Sequence, residues 1–118
     1  LICAEDPEEA AIRYERFTGC ARTAAGNGFR IALDRGQISI CTPADCAKIL
    51  PGIHIPSMPF IAAASIRSAD LPGTRSFLAA RDVPLLADES GRVAVDPRAG
   101  MGASFVFHAA DEEPFPLT

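Results

Sequence analysis

LICAEDPEEAAIRYERFTG, residues 1–19, joins a short apolar run to the start of an amphipathic helix. Asp6 is a good helix N-cap, Pro7 suits the first helical position, and Glu9 stands where a capping-box glutamate belongs. Apolar side chains then recur at helical spacing until Gly19, a typical stop signal. The stretch therefore predicts a strand over residues 1–4 and a helix that ends near Gly19.

The same order of signals returns in the second half of the chain. An apolar run over residues 61–68 precedes Asp70, which lies 64 positions after Asp6 and again caps a predicted helix. This helix is predicted to run to about Asp82, with Gly73 where Glu9 stands in the first copy. A repeat of this length suits a folded module rather than a helical periodicity.

Three short alternating runs, separated by glycine turns, follow each predicted helix, as in a β-meander. They cover residues 21–25, 29–34 and 37–41 in the first copy, and residues 84–88, 92–96 and 103–108 in the second. Both copies read β-α-β-β-β. The predicted fold class is therefore α+β, with two tandem modules whose cupped mixed sheets of four strands carry their helices on the convex faces.

These elements predict a single domain over residues 1–118. One module occupies about residues 1–50 and closes with a short helix that begins at Thr42, and a proline-bearing linker follows over residues 51–59. The second module occupies about residues 60–110. We expect the acidic, proline-bearing tail, residues 111–118, to be frayed. Because Leu1 already lies in a predicted strand, we also expect the chain to be a fragment of a longer one.

Composition narrows the function classes. Eleven basic and fifteen acidic residues give a net charge of −4, and the basic residues are scattered, which argues against nucleic-acid binding. No apolar run is long enough to span a bilayer, so no membrane partner is expected. The spacing of Cys3, Cys20, Cys41 and Cys46 matches no common zinc motif, and we expect reduced thiols in a cytoplasmic protein.

The repeat and its two cap-and-helix phrases, DPEEAAIRYERFTG at residues 6–19 and IRSADLPGTRSFL at residues 66–78, resemble the vicinal oxygen chelate superfamily. This superfamily includes glyoxalase I, extradiol dioxygenases and bleomycin-resistance proteins, and the likeness is strongest to glyoxalase-like domains of bacterial proteins. The resemblance implies a divalent metal in the cup of the sheet. Its usual ligand positions correspond here to Ala63, Ser39 and Val106, while a fourth falls before Leu1. The visible residues therefore predict a degenerate site with no metal and no other cofactor.

Alternation along the strands predicts what lines the concave face. If Ile38, Ile40, Ile66, Phe105 and Phe107 face the helices, their neighbours point into the cup. The candidate ligand-binding residues are then Arg30, Ser39, Cys41, Ser65, Arg67, Val106 and His108. Polar groups on apolar walls suit a small organic ligand, and Arg30 or Arg67 would pair with an anionic group, unless these arginines extend to the rim or bind an internal acid.

Three hypotheses follow. The first is a module that binds a small molecule without a metal. The second is a metal-dependent lyase or dioxygenase whose ligands come from residues upstream of Leu1 or from another domain. The third is a structural half of a multi-module protein. Whether the chain is an enzyme stays open among these three hypotheses. The resemblance implies that the cup is completed either by two modules of one chain or by modules of two chains, which leaves open a homodimer or pairing with a missing N-terminal domain.

Overall fold

The computed structural model describes all residues 1–118, and its first half is built on one mixed sheet. Five strands, in the order β2-β3-β4-β1-β5, form this sheet: β1 Ile2–Cys3, β2 Arg22–Ala25, β3 Gly28–Ala32, β4 Gln37–Cys41 and β5 Phe60–Ile61. Helix α1, Pro7–Thr18, follows β1, and helix α2, Pro43–Ile49, follows β4.

The second half repeats this plan in a sheet of four strands, in the order β6-β9-β8-β7. Its elements are β6 Ala63–Arg67, α3 Leu71–Ala79, β7 Leu85–Asp88, β8 Arg92–Val95 and β9 Ser104–His108. In both halves the first and last strands pair parallel, whereas the other strands of the module pair antiparallel. The predicted pair of βαβββ modules is therefore confirmed.

The two sheets meet at Ala62, where the sequence predicted one continuous strand. The amide of Ala62 donates to the carbonyl of Leu1 at 2.9 Å, and its own carbonyl accepts from the amide of Ser104 at 2.9 Å. Residues 60–61 therefore belong to the first sheet and residues 63–67 to the second. This switch gives the first sheet five strands instead of the predicted four.

The helix caps follow the sequence closely. The carboxylate of Asp6 accepts from the amide of Glu9 at 3.0 Å, and that of Asp70 accepts from Gly73 at 3.0 Å. Gly19 ends α1 with φ of +72°, a conformation that a residue with a Cβ rarely adopts. Helix α3 ends at Ala79, before the predicted Asp82, which has a positive φ of 52° in the following turn.

Helices α1 and α3 cover the convex faces of their sheets. Ala10 and Ala11 of α1 pack on Ile2, Ile31 and Ile40 of the first sheet. Leu71 and Leu78 of α3 pack on Val93 and Val95, with Phe107 beside them. Ile66 and Phe105 were also predicted to lie beneath a helix, but they are 46% and 41% exposed. That prediction is wrong because α3, nine residues long, packs on β8 and leaves this part of the sheet uncovered.

A third core cluster fills most of the concave side. Cys46, Ile49 and Leu50 from α2 and its end pack against Cys3, Cys41, Ala94 and Val106 of the two sheets, and Phe115 joins them. Phe115 is 4% exposed, so residues 111–118, termed the closing segment below, are packed into the cup rather than frayed. The prediction of a frayed tail is wrong because Phe115 and Leu117 offer apolar surface that the cup buries.

None of the three helices is long and apolar enough to span a membrane.

Candidate functional site

One cavity of about 320 Å³ opens on the concave side and touches both modules. The first sheet contributes the β3–β4 hairpin, and the second contributes the concave side chains of β6 and β9. The closing segment forms the remaining wall. The lining residues are Ala32, Gly36, Gln37, Ser65, His108, Glu113, Pro114 and Phe115.

Strand register explains how these residues come together. Ser65 pairs with Val106, and Arg67 pairs with His108, in the parallel ladder between β6 and β9. Because side chains alternate, Ser65 and His108 lie on the same face of the second sheet. Gln37 begins β4 on the first sheet, and the cavity lies between it and this face.

The seven candidate residues fall into three groups. Ser65 and His108 line the cavity. Ser39, Cys41 and Val106 are on the concave side as well, but each is at most 1% exposed, beneath α2 and the closing segment.

The two arginines of the set differ in their surroundings. Arg30 lies beside the closing segment and is partly buried, whereas Arg67 is exposed and does not line the cavity. Alternation therefore places side chains on a face correctly, but it does not tell which of them the rest of the chain covers.

A polar network runs from the cavity floor to the closing segment. Nε2 of Gln37 donates to Oε1 of Glu113 at 3.3 Å and lies 3.4 Å from Oγ of Ser39. Nη2 of Arg30 donates to the carbonyl of Phe115 at 3.3 Å and lies 3.6 Å from Oε1 of Glu113. Nε of Arg30 is buried and has no hydrogen-bond partner. Sequence reasoning missed Gln37 and Glu113, which become site residues only because the closing segment folds back.

Arg92 is a second residue that sequence reasoning missed. Its guanidinium donates to the carbonyl of Ile49 at 2.7 Å, to that of Pro114 at 2.9 Å, and to both carboxylate oxygens of Glu89. These bonds lower the pKa of Glu89. Arg92 therefore holds the end of α2 and the closing segment in the cup. An arginine that opens the otherwise apolar strand RVAV was the available signal.

His108 is the one imidazole at the cavity. Its Nδ1 lies 2.9 Å from the carbonyl of Ala109, and since a carbonyl only accepts, Nδ1 is the donor of this bond. The other ring nitrogen, Nε2, has no partner in the chain.

The concave donors do not fit a divalent metal. No three His, Cys, Asp or Glu residues are arranged to hold an ion, and the positions that the resemblance implies as ligands hold Ala63, Ser39 and Val106. The nearest candidates at the cavity are Gln37, His108 and Glu113, and both Gln37 and Glu113 are engaged in the network described above. We derive no catalytic step through a metal from these residues.

Three thiols meet in the concave core. Cys3 and Cys41 are register partners on neighbouring strands, and Cys46 of α2 packs on them, all three being fully buried. A hydrogen bond with Cys41 lowers the pKa of Cys46 to about 7, and the same bond raises the pKa of Cys41. Burial raises the pKa of Cys3 to about 12. All four cysteines of the chain are free thiols.

Thiol reactivity tests how tightly the cup is closed. Cys20 is the only cysteine that is partly exposed. In the native protein we therefore expect one thiol per chain to react quickly with Ellman's reagent, and the other three thiols to react only on unfolding. A Cys20→Ser variant should lose the fast phase. Fast reaction of two or more thiols in the native state would show that α2 and the closing segment leave the concave face open.

A second depression lies outside the cup. It has a volume of about 260 Å³ and is lined by Ala10, Arg13, Tyr14, Phe17 and Pro59. It lies on the helix side of the first module and has no lining residue from the second sheet. Of these two, the cavity between the sheets is the better candidate site, because both modules contribute to its walls.

Comparison with known proteins gives the class of fold. No family model matches the sequence, and no curated protein matches it. Among solved structures, methylmalonyl-CoA epimerase from Mycobacterium tuberculosis superposes with a TM-score of 0.68 at 18% identity, over 94% of this chain and 85% of that one. A second methylmalonyl-CoA epimerase gives a TM-score of 0.59 at 15% identity, over 94% of this chain and 92% of the other.

A variant of the Streptomyces coelicolor epimerase in complex with 2-nitronate-propionyl-CoA also has a TM-score of 0.59, at 12% identity, over 94% of both chains. The protein therefore shares the βαβββ fold of these epimerases, which is the glyoxalase-like fold that the resemblance implied. Identities this low establish the fold alone, and activity has to be argued from the site.

Proposed function

We propose that this chain is a small-molecule-binding domain whose ligand occupies the cavity between the two sheets. The observation that carries the proposal is that both modules wall a single cavity. An amide from Gln37, a hydroxyl from Ser65 and an imidazole from His108 stand there beside the apolar Phe115 and Ala32. Ligand sites commonly combine apolar walls with a few polar groups that orient the ligand.

The size of the cavity limits the ligand. A volume of about 320 Å³ lies at the small end of ligand pockets, so the cavity suits a short-chain organic molecule rather than a whole nucleotide-bearing cofactor. The Streptomyces epimerase with the same fold is described with a propionyl-CoA derivative. Small acyl compounds are therefore sensible first probes, although the shared fold does not transfer the reaction.

A fragment screen with matched variants tests the proposal. We expect hits from a fluorinated fragment library, detected by ¹⁹F NMR, to be lost in Ser65→Phe, because the larger side chain fills the cavity. The control is Ser90→Phe, which adds the same side chain in an exposed turn away from the cavity. If Ser65→Phe retains the hits of the parent protein, the ligand site lies elsewhere and the proposal fails.

We further propose that the domain works without a resident metal. The support is the missing donor set at Ala63, Ser39 and Val106. Elemental analysis of protein purified without chelators should find no stoichiometric iron, manganese, nickel or zinc. Close to one ion per chain, lost in His108→Ala, would contradict this and favour the metal-dependent lyase or dioxygenase.

Location and assembly complete the proposal. Four free thiols agree with a reducing compartment, and we propose a cytoplasmic, bacterial protein. A homodimer, or pairing with a further domain, stays a prediction. No feature of the basic residues favours nucleic acid as a partner, since most of them form ion pairs with acidic side chains of the same chain.

A further inference from the structure

Arg30 has unused hydrogen-bonding capacity beside the cavity. A guanidinium has five N–H donors, and the Arg30 group makes one hydrogen bond, to the carbonyl of Phe115 at 3.3 Å. Its Nε is buried without any partner, which is costly for a charged group. Nε and Nη2 together form the edge of the guanidinium that binds a carboxylate through two parallel hydrogen bonds.

The surroundings of Arg30 are also rich in donors. Ser39 is the residue opposite Arg30 in the β3–β4 ladder. The buried Ser39 hydroxyl accepts a hydrogen bond from the side-chain amide of Gln37 at 3.4 Å. Gln37 and Arg30 share a single acidic partner, Glu113, at 3.3 and 3.6 Å. Two donor side chains, Arg30 and Gln37, therefore converge on one carboxylate, which belongs to the closing segment, and the Ser39 hydroxyl lies behind Gln37.

From this arrangement we infer that Arg30 and Gln37, with Ser39 behind Gln37, form a carboxylate-binding subsite beside the cavity, and that Glu113 occupies it as an internal competitor. The inference rests on the proposed function and deepens it, because it names the chemical class of the ligand. A ligand carboxylate takes the place of the Glu113 carboxylate and engages Nε, which is buried in this structure and becomes reachable only when Glu113 moves away. The apolar part of the ligand lies towards Phe115 and Ala32.

The geometry explains why Glu113 is a competitor rather than a permanent partner. Its side chain is 43% exposed and its distance to Arg30, 3.6 Å, exceeds that of a good hydrogen bond. A partly exposed pair of this kind contributes little to stability. A free carboxylate that reaches both Nε and Nη2 makes two charge-assisted bonds, whereas Glu113 makes no hydrogen bond to Arg30.

Propionate and propionamide are the probes, because they have nearly the same size and differ in charge. We expect propionate to bind more tightly than propionamide in titrations of ¹⁵N-labelled protein. Arg30→Gln should weaken propionate about tenfold, because it removes the charge-assisted hydrogen bonds to the carboxylate. Glu113→Gln should tighten it about threefold, because it removes the competing charge. Propionamide should respond little to either change.

Glu112→Gln is the matched control, since it removes the same charge from the neighbouring position but leaves Glu113 in place. Thermal unfolding of each variant checks that the fold persists, and Glu113→Gln keeps the test valid if Arg30→Gln fails to fold. If propionate and propionamide bind equally, or if Glu113→Gln and Glu112→Gln act alike, the subsite is wrong while the proposed function stands. If neither probe perturbs the cavity and no fragment binds there, both are overturned.

Discussion

Phe115→Ala is expected to lower the free energy of unfolding by about 3 kcal/mol, in the range measured for buried phenylalanines. Phe115 is 4% exposed and belongs to the concave core together with Cys41, Leu50 and Val106. Removal of its ring leaves a cavity between α2 and the two sheets. Chemical denaturation, followed by circular dichroism, measures the effect.

Phe17→Ala is the matched control for this prediction. Phe17 lies in α1 and is 86% exposed, so its loss should change the stability by less than about 0.5 kcal/mol. If Phe115→Ala is as stable as the parent protein, the closing segment does not hold the cup shut, and the account of the concave core fails.

Arg92→Met is expected to cost about 3 kcal/mol as well. Its side chain is 8% exposed and bonds the carbonyls of Ile49 and Pro114. Methionine fills a similar space but leaves both carbonyls without this donor, at about 1–3 kcal/mol each where water does not replace it. The half-exposed Glu89 regains water, so its ion pair adds little. The pKa of Glu89 should rise towards its ordinary value, which NMR titration detects.

Arg98→Met provides the comparison. Arg98 also forms a hydrogen-bonded pair with an acid, Asp96, but its side chain is 86% exposed, so we expect a loss below about 1 kcal/mol. Equal losses in the two variants would mean that Arg92 stabilises the fold only as a surface ion pair. A double variant with Phe115→Ala should be less destabilised than the sum of the single ones, because both act through the closing segment.

Local signals in the sequence were sufficient for the element order. Asp6 and Asp70 cap helices because their carboxylates satisfy amides that the first turn leaves free, and this chemistry needs no tertiary information. The strands between glycine turns were predicted to within a few residues for the same reason. Ala62 was not predictable as a break, because its two hydrogen bonds join residues that are distant in the sequence, Leu1 and Ser104.

The candidate site was predictable only in part. Alternation placed Ser65 and His108 on the concave face, and the structure brings both to the cavity. The same alternation also placed Ser39, Cys41 and Val106 there, but it carries no information on what covers them. The cover comes from Phe115, whose acidic and proline-rich surroundings resemble those of a disordered tail. Composition could not show that one buried ring in that segment would outweigh its polar neighbours.

Mapping of the propionate site by ¹⁵N chemical-shift perturbation tests the central claim most directly, that a ligand binds between the two sheets. The account predicts that the largest shifts fall on both modules and on the closing segment, at Gln37, Ser65, His108, Glu113 and Phe115, which surround one cavity. Shifts confined to Ala10, Tyr14 and Phe17, beside the depression on α1, would place the ligand outside the cup and contradict the account.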